Sequence, residues 1–285
     1  MRALNEKEIL KLGFQGVEGS YSEAALRGFF GGYNYEKNAY SSFGELIDSI
    51  INGDIDYGVL PVENSSTGAV TEIYDLLNKK KLQIIGEHYL KINHQLMVKQ
   101  GESINDIKRV YSHPQAISQC REYLSKNPNW EIIAYTNTAK SAQKVSRSSE
   151  IGVAAIGGIR AAELYDLDVL ESGINDCNCN TTRFIIVTRC GEVVKAGDKM
   201  SLILTIPHRP GCLYELIGCF ANEGINMLKI ESRPIKDQPW EYYFYIDIEG
   251  NQNDENMQRA LKSAEDCSHS LKILGNYIRD KKGGR

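Results

Sequence analysis

The 285-residue chain has no apolar stretch of membrane-spanning length and no excess of one charge, with 33 Lys and Arg against 37 Asp and Glu in a well-mixed pattern. The first absence excludes a transmembrane helix. The second excludes the basic stripe on which nucleic-acid binding relies. An anionic ligand must therefore be met by local amides and a few side chains rather than by a bulk positive field. Cofactor fingerprints are also missing: no G-x-G-x-x-G follows the first strand, and there is no Walker A sequence. The five His show no ligand spacing, and the seven Cys are scattered except for Cys177 and Cys179, which lack the second nearby pair a zinc site needs. Residues 1–8 are polar and carry no signal-peptide core. The expectation is a cytoplasmic protein with unpaired thiols, no metal and no cofactor.

What is present is an ordinary globular composition, 42% apolar and 25% charged, on a chain long enough for two or three domains. Elements alternate from the start. Leu12-Gly13-Phe14 reads as a short strand, Ser22 to Phe29 and Ser42 to Ile51 as helices, Asp56 to Val62 as a buried strand, and Ala69 to Asn78 as a helix. Leu82 to Lys99 alternates in a way suited to long antiparallel or crossover strands. A second set follows: strands at Lys108 to Tyr111, Trp130 to Tyr135, Ile151 to Ala155 and Leu167 to Leu170, and helices at Pro114 to Leu124, Thr138 to Val145 and Ile159 to Tyr165. Phe184 to Thr188 then returns as a strand. The prediction is an α/β body of two lobes with a ligand cleft between them, at the C-terminal ends of strands. Beyond a polar linker at 191–199, the order becomes strand Met200 to Ile206, helix Cys212 to Asn222, strands Ile225 to Ser232 and Tyr242 to Glu249, helix Glu255 to Ala264 and strand Lys272 to Leu274. That is a βαββαβ, ferredoxin-like α+β unit. Its Cys212 and Cys219 are spaced for one side of a helix and read as core residues.

Candidate chemistry gathers in a few turns. Gly16 to Ser22, Glu63 to Gly68 and Ser112 to Gln115 each place small hydroxyl or amide residues at a strand-to-helix turn, where free N–H groups form a natural anion site. Taken alone, each reads as a plain N-cap; three such turns together with an Arg-bearing strand end point to a carboxylate- or phosphate-binding cleft. Asn180-Thr181-Thr182-Arg183-Phe184 sets a hydroxyl and a guanidinium at the mouth of an apolar strand, where uncompensated polar groups are costly. Glu63 is expected to face the cleft as a general acid or to form an ion pair with a partner such as Arg183, and His113 to be an acid or a cap.

Read together, these segments resemble a monofunctional prephenate dehydratase over nearly the whole chain. The family's opening G-P-x-G-[ST]-[YF]-S stands as Gly16-Val17-Glu18-Gly19-Ser20-Tyr21-Ser22, with Val17 where Pro is usual. P-x-E-N-S-x-x-G stands at Pro61 to Gly68, S-H-P-Q-A at Ser112 to Ala116, and D-x-x-x-N-x-T-R-F at Asp176 to Phe184. The tail resembles an ACT regulatory domain, with Gly211-Cys212-Leu213 for its G-A-L motif and Glu231-Ser232-Arg233-Pro234 intact. The expectation is a chain without the chorismate mutase helices that precede this body in bifunctional relatives.

The resemblance implies a type 2 periplasmic-binding-protein-like catalytic body over 9–190 and an ACT domain over 200–278. The implied reaction takes prephenate to phenylpyruvate without a cofactor. The implied effector is L-phenylalanine, an inhibitor, and the assembly a homodimer or homotetramer. Mapped on this chain, Thr182, Glu63, Asn64 and Ser65 are the implied catalytic residues. Arg183, Phe184, Asn180, Ser20, Tyr21, Ser112, His113 and Gln115 are implied to bind substrate, and Gly211, Cys212, Leu213, Asn226, Glu231 and Ser232 the effector. Thr182 is expected to hydrogen-bond the leaving hydroxyl. Arg183 and helix-terminal amides are expected to hold the surviving pyruvyl carboxylate. The departing ring carboxylate is expected in a poorer electrostatic setting, because strong binding of it would stabilise the ground state. Arogenate dehydration and a non-catalytic amino-acid sensor are the competing readings.

Overall fold

The computed structural model describes residues 9–191, 197–235 and 240–281; most of the expected linker and the polar N-terminus lie outside them. Lobe one is built from β1 (Leu10–Gln15), α1 (Tyr21–Phe30), β2 (Tyr35–Tyr40), α2 (Phe43–Asn52), β3 (Tyr57–Asn64), β4 (Gly68–Ala69), α3 (Thr71–Lys79) and β5 (Leu82–Lys91). Lobe two follows with β6 (Gln95–Lys99), β7 (Arg109–Ser112), α4 (Pro114–Gln119), α5 (Arg121–Ser125), β8 (Glu131–Ala134), α6 (Thr138–Arg147), β9 (Val153–Gly157), α7 (Ile159–Tyr165) and β10 (Leu167–Ser172). The chain then recrosses, and β11 (Thr181–Arg189) inserts antiparallel between β3 and β5. The sheet orders are β2-β1-β3-β11-β5 in lobe one and β10-β6-β9-β7-β8 in lobe two. This is the two-lobed architecture the alternation predicted, with α/β layers around separate cores. Strand β2 escaped the sequence reading because it is a polar edge strand, YEKNAY, without a buried face.

Local chemistry explains the boundaries near the cleft. Ser20 caps α1 by accepting the Glu23 N–H, and Asn137 caps α6 by accepting the Lys140 N–H. The turn before α1 bends at Gly19, whose φ of +85° suits glycine; a Cβ there would also press on the Ala161 backbone of lobe two at 3.2 Å. The two interlobe crossings are knitted to each other: the Ile92 N–H donates to the Asn180 carbonyl, and the His94 N–H to Asn175 Oδ1.

Cys177 and Cys179 correct the expectation of free thiols. The turn before β11 brings their Cα atoms to 5.4 Å, within bonding range, and a disulfide joins them. Cys212 is buried as expected, whereas Cys219 is only half-buried, with its Sγ 3.8 Å from that of Cys267.

The C-terminal unit comprises β12 (Lys199–Thr205), α8 (Cys212–Ala221), β13 (Met227–Pro234), β14 (Tyr242–Glu249), α9 (Glu255–Asp266) and β15 (Ser270–Tyr277). Its sheet runs β13-β14-β12-β15. Alternation sorts its two faces. Met200, Leu202, Leu204, Ile246 and Ile248 pack under α8 and α9, while Ile203, Tyr245, Leu274 and Tyr277 join the core of lobe one beside α2 and α3. Lys272 Nζ reinforces the seam by capping the C-terminus of α3 at the Leu77 and Lys80 carbonyls, where the helix dipole favours a cation. Gly275 permits the closest approach, because a Cβ there would sit 2.0 Å from the Ile84 carbonyl of β5. Gly275→Ala is therefore expected to cost about 1–3 kcal/mol through overpacking against backbone that cannot retreat. A urea midpoint equal to that of the parent would refute this.

Candidate active site

Strands β3 and β11 form the floor of the interlobe cleft. Their register pairs Thr182 with Asn64 and Arg183 with Glu63, then slips so that Phe184 meets Pro61 and Val62 is left over as a bulge. Because β11 alternates strictly, Thr182 and Phe184 line the cleft while Arg183 points the other way. On β3 the bulge changes the parity. Pro61 and Asn64 line the cleft, Val62 joins the core beneath, and Glu63 turns to the far side.

The Asn64 amide is fully committed. Its Oδ1 accepts the backbone N–H groups of Ser66 and Thr67 at 3.0 and 3.1 Å, which settles which amide atom is oxygen. Its Nδ2 then donates to Asn180 Oδ1 at 2.7 Å and Thr182 Oγ1 at 2.9 Å. With one lone pair of Thr182 Oγ1 occupied, its hydroxyl proton is free to donate into the cleft. Thr182 is only 9% exposed, so little water competes for that proton.

Around this floor the cleft encloses about 690 Å³ and takes lining from both lobes. Ser20, Tyr21, Thr67 and Thr71 come from lobe one, and His94, His113, Gln115, Gln119, Asn137 and Thr138 from lobe two. Hydrogen bonds join the rims. Gln115 Nε2 donates to Thr67 Oγ1 at 3.1 Å, and Gln119 Nε2 to Ser66 Oγ at 3.0 Å. That bond leaves Gln119 Oε1 to accept from His94 Nε2–H at 2.9 Å, and His94 Nδ1 to accept from the Tyr21 hydroxyl at 2.8 Å. The assignment makes His94 a neutral Nε2–H tautomer.

Burial holds the His94 pKa below its ordinary 6.5, against an opposing hydrogen bond to Gln119, and burial pushes the Tyr21 phenol far up. A histidine with a depressed folded pKa binds its proton later than the unfolded chain does. Stability is therefore complete above about pH 6.5 and falls as pH drops from there toward the folded value. His94→Gln is expected to flatten that part of the stability-pH profile, which urea titrations between pH 7.5 and 5 would show; an unchanged slope would refute it.

Among the described residues, no Lys or Arg lines the cleft. What remains to meet an anion there is the first-turn N–H groups of α1 and α6 beyond the two that Ser20 and Asn137 cap, together with the Ser20 and Thr138 hydroxyls.

The residues expected at the site separate into groups. Thr182, Asn64, Phe184, Ser20, Tyr21, His113 and Gln115 line the cleft. Arg183 does not, which corrects its expected role as carboxylate anchor. It is 5% exposed and bonds Glu87 through Nε at 2.8 Å, Asp247 through Nη1 at 2.5 Å and the Tyr277 hydroxyl through Nη2 at 2.9 Å. Glu63 is likewise no cleft acid; it pairs with Lys229 at 2.8 Å, not with Arg183. Ser65 donates to the Cys179 carbonyl and accepts the Thr181 N–H, holding the strand entrance closed, and Ser112 is buried with its hydroxyl on the Ile156 carbonyl. Asn180 is buried behind Asn64, and its Nδ2 has no hydrogen-bond partner. His113 is the cap of α4, accepting the Gln115 N–H, and burial lowers its pKa. Thr67 lies in the Glu63 to Gly68 turn that the sequence marks, whereas His94, Gln119, Asn137 and Thr138 escaped the sequence reading. The N-cap pattern Asn137-Thr138 is the one signal available for those four.

In the C-terminal unit, Gly211, Cys212 and Leu213 line a separate cavity of about 570 Å³ with Arg209, Trp240 and Tyr242. Asn226 lies elsewhere, bonding Glu249 through Nδ2, and Glu231 and Ser232 sit on the edge strand β13. A single chain does not gather the six expected effector residues into one pocket.

Comparison with known proteins agrees with this geometry. A bifunctional chorismate mutase/prephenate dehydratase of Enterobacter agglomerans is 36% identical, covering 94% of this chain and 70% of the relative. The structure of an Arthrobacter aurescens prephenate dehydratase in complex with L-Phe superposes with a TM-score of 0.87 at 30% identity, covering 96% of this chain and 91% of that one. GqqA, described as a novel type of quorum quenching acylase, superposes equally well at 29% identity over 95% of this chain and 99% of its own. Residues 12–192 match the prephenate dehydratase family and residues 200–266 the ACT domain, so the chain belongs to the prephenate dehydratase family and carries a C-terminal ACT domain.

Proposed function

We propose that this chain is a carbon–oxygen lyase of L-phenylalanine biosynthesis that converts prephenate to phenylpyruvate, and that L-phenylalanine inhibits it through the ACT domain. The observation that carries the reading is the Thr182 hydroxyl, which accepts from Asn64 at the floor of a cleft of substrate size and so keeps its proton to donate. The ring C–O bond breaks as the bond to the ring carboxylate breaks; the freed electron pair completes the aromatic ring, and hydroxide and carbon dioxide leave. Thr182 donates a hydrogen bond to the departing oxygen. A neutral alcohol is a weak proton source, so its part is to orient and stabilise the leaving group.

With Arg183 turned away, the pyruvyl carboxylate is held by helix-terminal amides and hydroxyls at α1 or α6. The lack of a lining cation suits the ring carboxylate, whose charge disappears in the reaction; a strong ion pair would favour the ground state over the transition state.

The ACT domain also supports self-association into a dimer or tetramer. Leu213, Tyr214 and Ile217 on α8 and Leu228 and Ile230 on β13 are exposed, and β13 is an edge strand. An effector site completed by a second subunit would bring the Gly211 turn of one chain to the β13 edge of another. The cytoplasm is the proposed location; among the described residues, no helix is long and apolar enough to cross a membrane.

The deciding experiment measures kcat/KM on prephenate and on arogenate with the purified chain, with and without phenylalanine. Preference for prephenate and loss of rate with phenylalanine are expected. A chain that turns over neither compound faster than buffer would favour the sensor reading, and one active on arogenate alone would be an arogenate dehydratase.

A further inference from the structure

The residues on the far side of the β3–β11 floor carry a consequence for control. The cleft-facing pair Asn64–Thr182 is followed directly in register by Glu63–Arg183, which faces the ACT sheet. Each strand of that sheet contributes to the contact. β12 supplies Lys199, which pairs with Glu87 at 2.8 Å; β13 supplies Lys229 to Glu63; β14 supplies Asp247 and β15 supplies Tyr277, both to Arg183. Ser201 completes the network by bonding both Asp247 and the Tyr277 hydroxyl.

We propose that Glu63 and Arg183 are positioning residues through which the ACT sheet sets the Asn64–Thr182 pair, so that the effector acts on the leaving-group contact from behind the sheet without entering the cleft. The proposal rests on the reading of Thr182 as the catalytic contact and phenylalanine as the effector.

Three observations support it. Arg183 is one peptide from Thr182 and Glu63 one from Asn64, so a displacement of either ion pair is passed along an extended backbone to its neighbour. The Arg183 cluster is buried, and buried charge pairs keep a defined geometry because an unpaired alternative is costly. A cavity of about 740 Å³, lined by Glu63, Arg183, Lys229 and Asp247 together with Asn226 and Glu249, adjoins the contact and leaves room for β13 to shift. β13 bears Lys229 on one face and ends in Glu231-Ser232-Arg233-Pro234, the stretch implied to meet the effector. A ligand that favours one placement of β13 over another therefore biases the placement of Lys229 and, through Glu63, of Asn64.

The test uses the full chain with Lys229→Met, Tyr277→Phe and the charge exchange Glu63→Lys with Lys229→Glu. Steady-state rates on prephenate, phenylalanine inhibition curves and phenylalanine binding by calorimetry are measured on each. Lys229→Met and Tyr277→Phe are expected to lower kcat several-fold at near-parental KM and to weaken the inhibition reached at saturating phenylalanine about 5-fold or more, the lower end of ordinary allosteric coupling. Phenylalanine binding is expected to stay within about twofold of the parent, and the charge exchange to recover part of the inhibition. Parental kcat and inhibition in Lys229→Met would overturn the proposal, as would binding lost in step with inhibition, which would place these residues in the effector site itself. Should Tyr277→Phe fail to fold, Lys229→Met decides alone, because its ion pair is partly solvent-exposed. Failure of the parent to turn over prephenate is a different result and counts against the proposed function.

Discussion

Thr182→Ala is expected to lower kcat on prephenate by about 10²–10⁴-fold with little change in KM, the range for assistance to a leaving group. The split between the constants follows from where the interaction acts. A hydrogen bond to the ring hydroxyl strengthens as charge develops on that oxygen, so its loss is felt in the transition state and hardly in the bound ground state. The fold should tolerate the change, because Asn64 Nδ2 retains its 2.7 Å bond to Asn180 Oδ1 when the Thr hydroxyl is gone. Thr182→Ser keeps the oxygen and should retain most of the activity. Steady-state kinetics on the two variants check the assignment; near-parental turnover in Thr182→Ala would remove Thr182 from the reaction.

Arg183→Met is expected to act foremost on stability, beside the change in kcat that its positioning role implies, lowering it by about 3–5 kcal/mol, the cost of breaking a buried pair by deleting one partner. Among the described residues, Arg183 is the only group that contacts Glu87, Asp247 and Tyr277 together. Burial by itself would raise the Asp247 pKa, and Arg183 and Lys199 overcome it and hold the carboxyl below its ordinary value. Without the guanidinium, Asp247 keeps Lys199 only at 3.9 Å, and a buried carboxylate is left short of charge. Arg183→Lys should lose less, since the charge remains and only the planar fork is lost. Denaturant unfolding followed by far-ultraviolet ellipticity would measure both. A midpoint for Arg183→Met equal to the parent's would show that the cluster carries no net weight.

The two variants are neighbours in sequence, and their expected effects differ in kind because strand side chains alternate between faces. The β11 sequence itself contains that alternation: Phe184 and Ile186 belong to one core and Ile185 and Val187 to another. Extending the pattern back to Thr182 and Arg183 would have placed the guanidinium opposite the cleft. The motif drew both residues to the substrate because adjacency in a motif says nothing about facing. Glu63 is a different case. Simple alternation from Pro61 puts it in the cleft, and only the bulge at Val62, a product of the pairing with β11, turns it toward Lys229. His94 and Gln119 were illegible for a third reason: their role depends on a hydrogen-bonded chain across two lobes, and neither lies in a local pattern.

The sequence by itself determined the order and type of most elements, the two lobes, the βαββαβ tail, and the segments that supply the cleft floor and its capping turns. These follow from apolar periodicity and turn chemistry, which act over a few residues. Tertiary structure alone decided which face of the floor Glu63 serves, and joined the C-terminal sheet to the back of the catalytic strands. A bulge, a sheet-on-sheet contact and a buried ion cluster depend on partners far apart in the chain, so no local stretch specifies them.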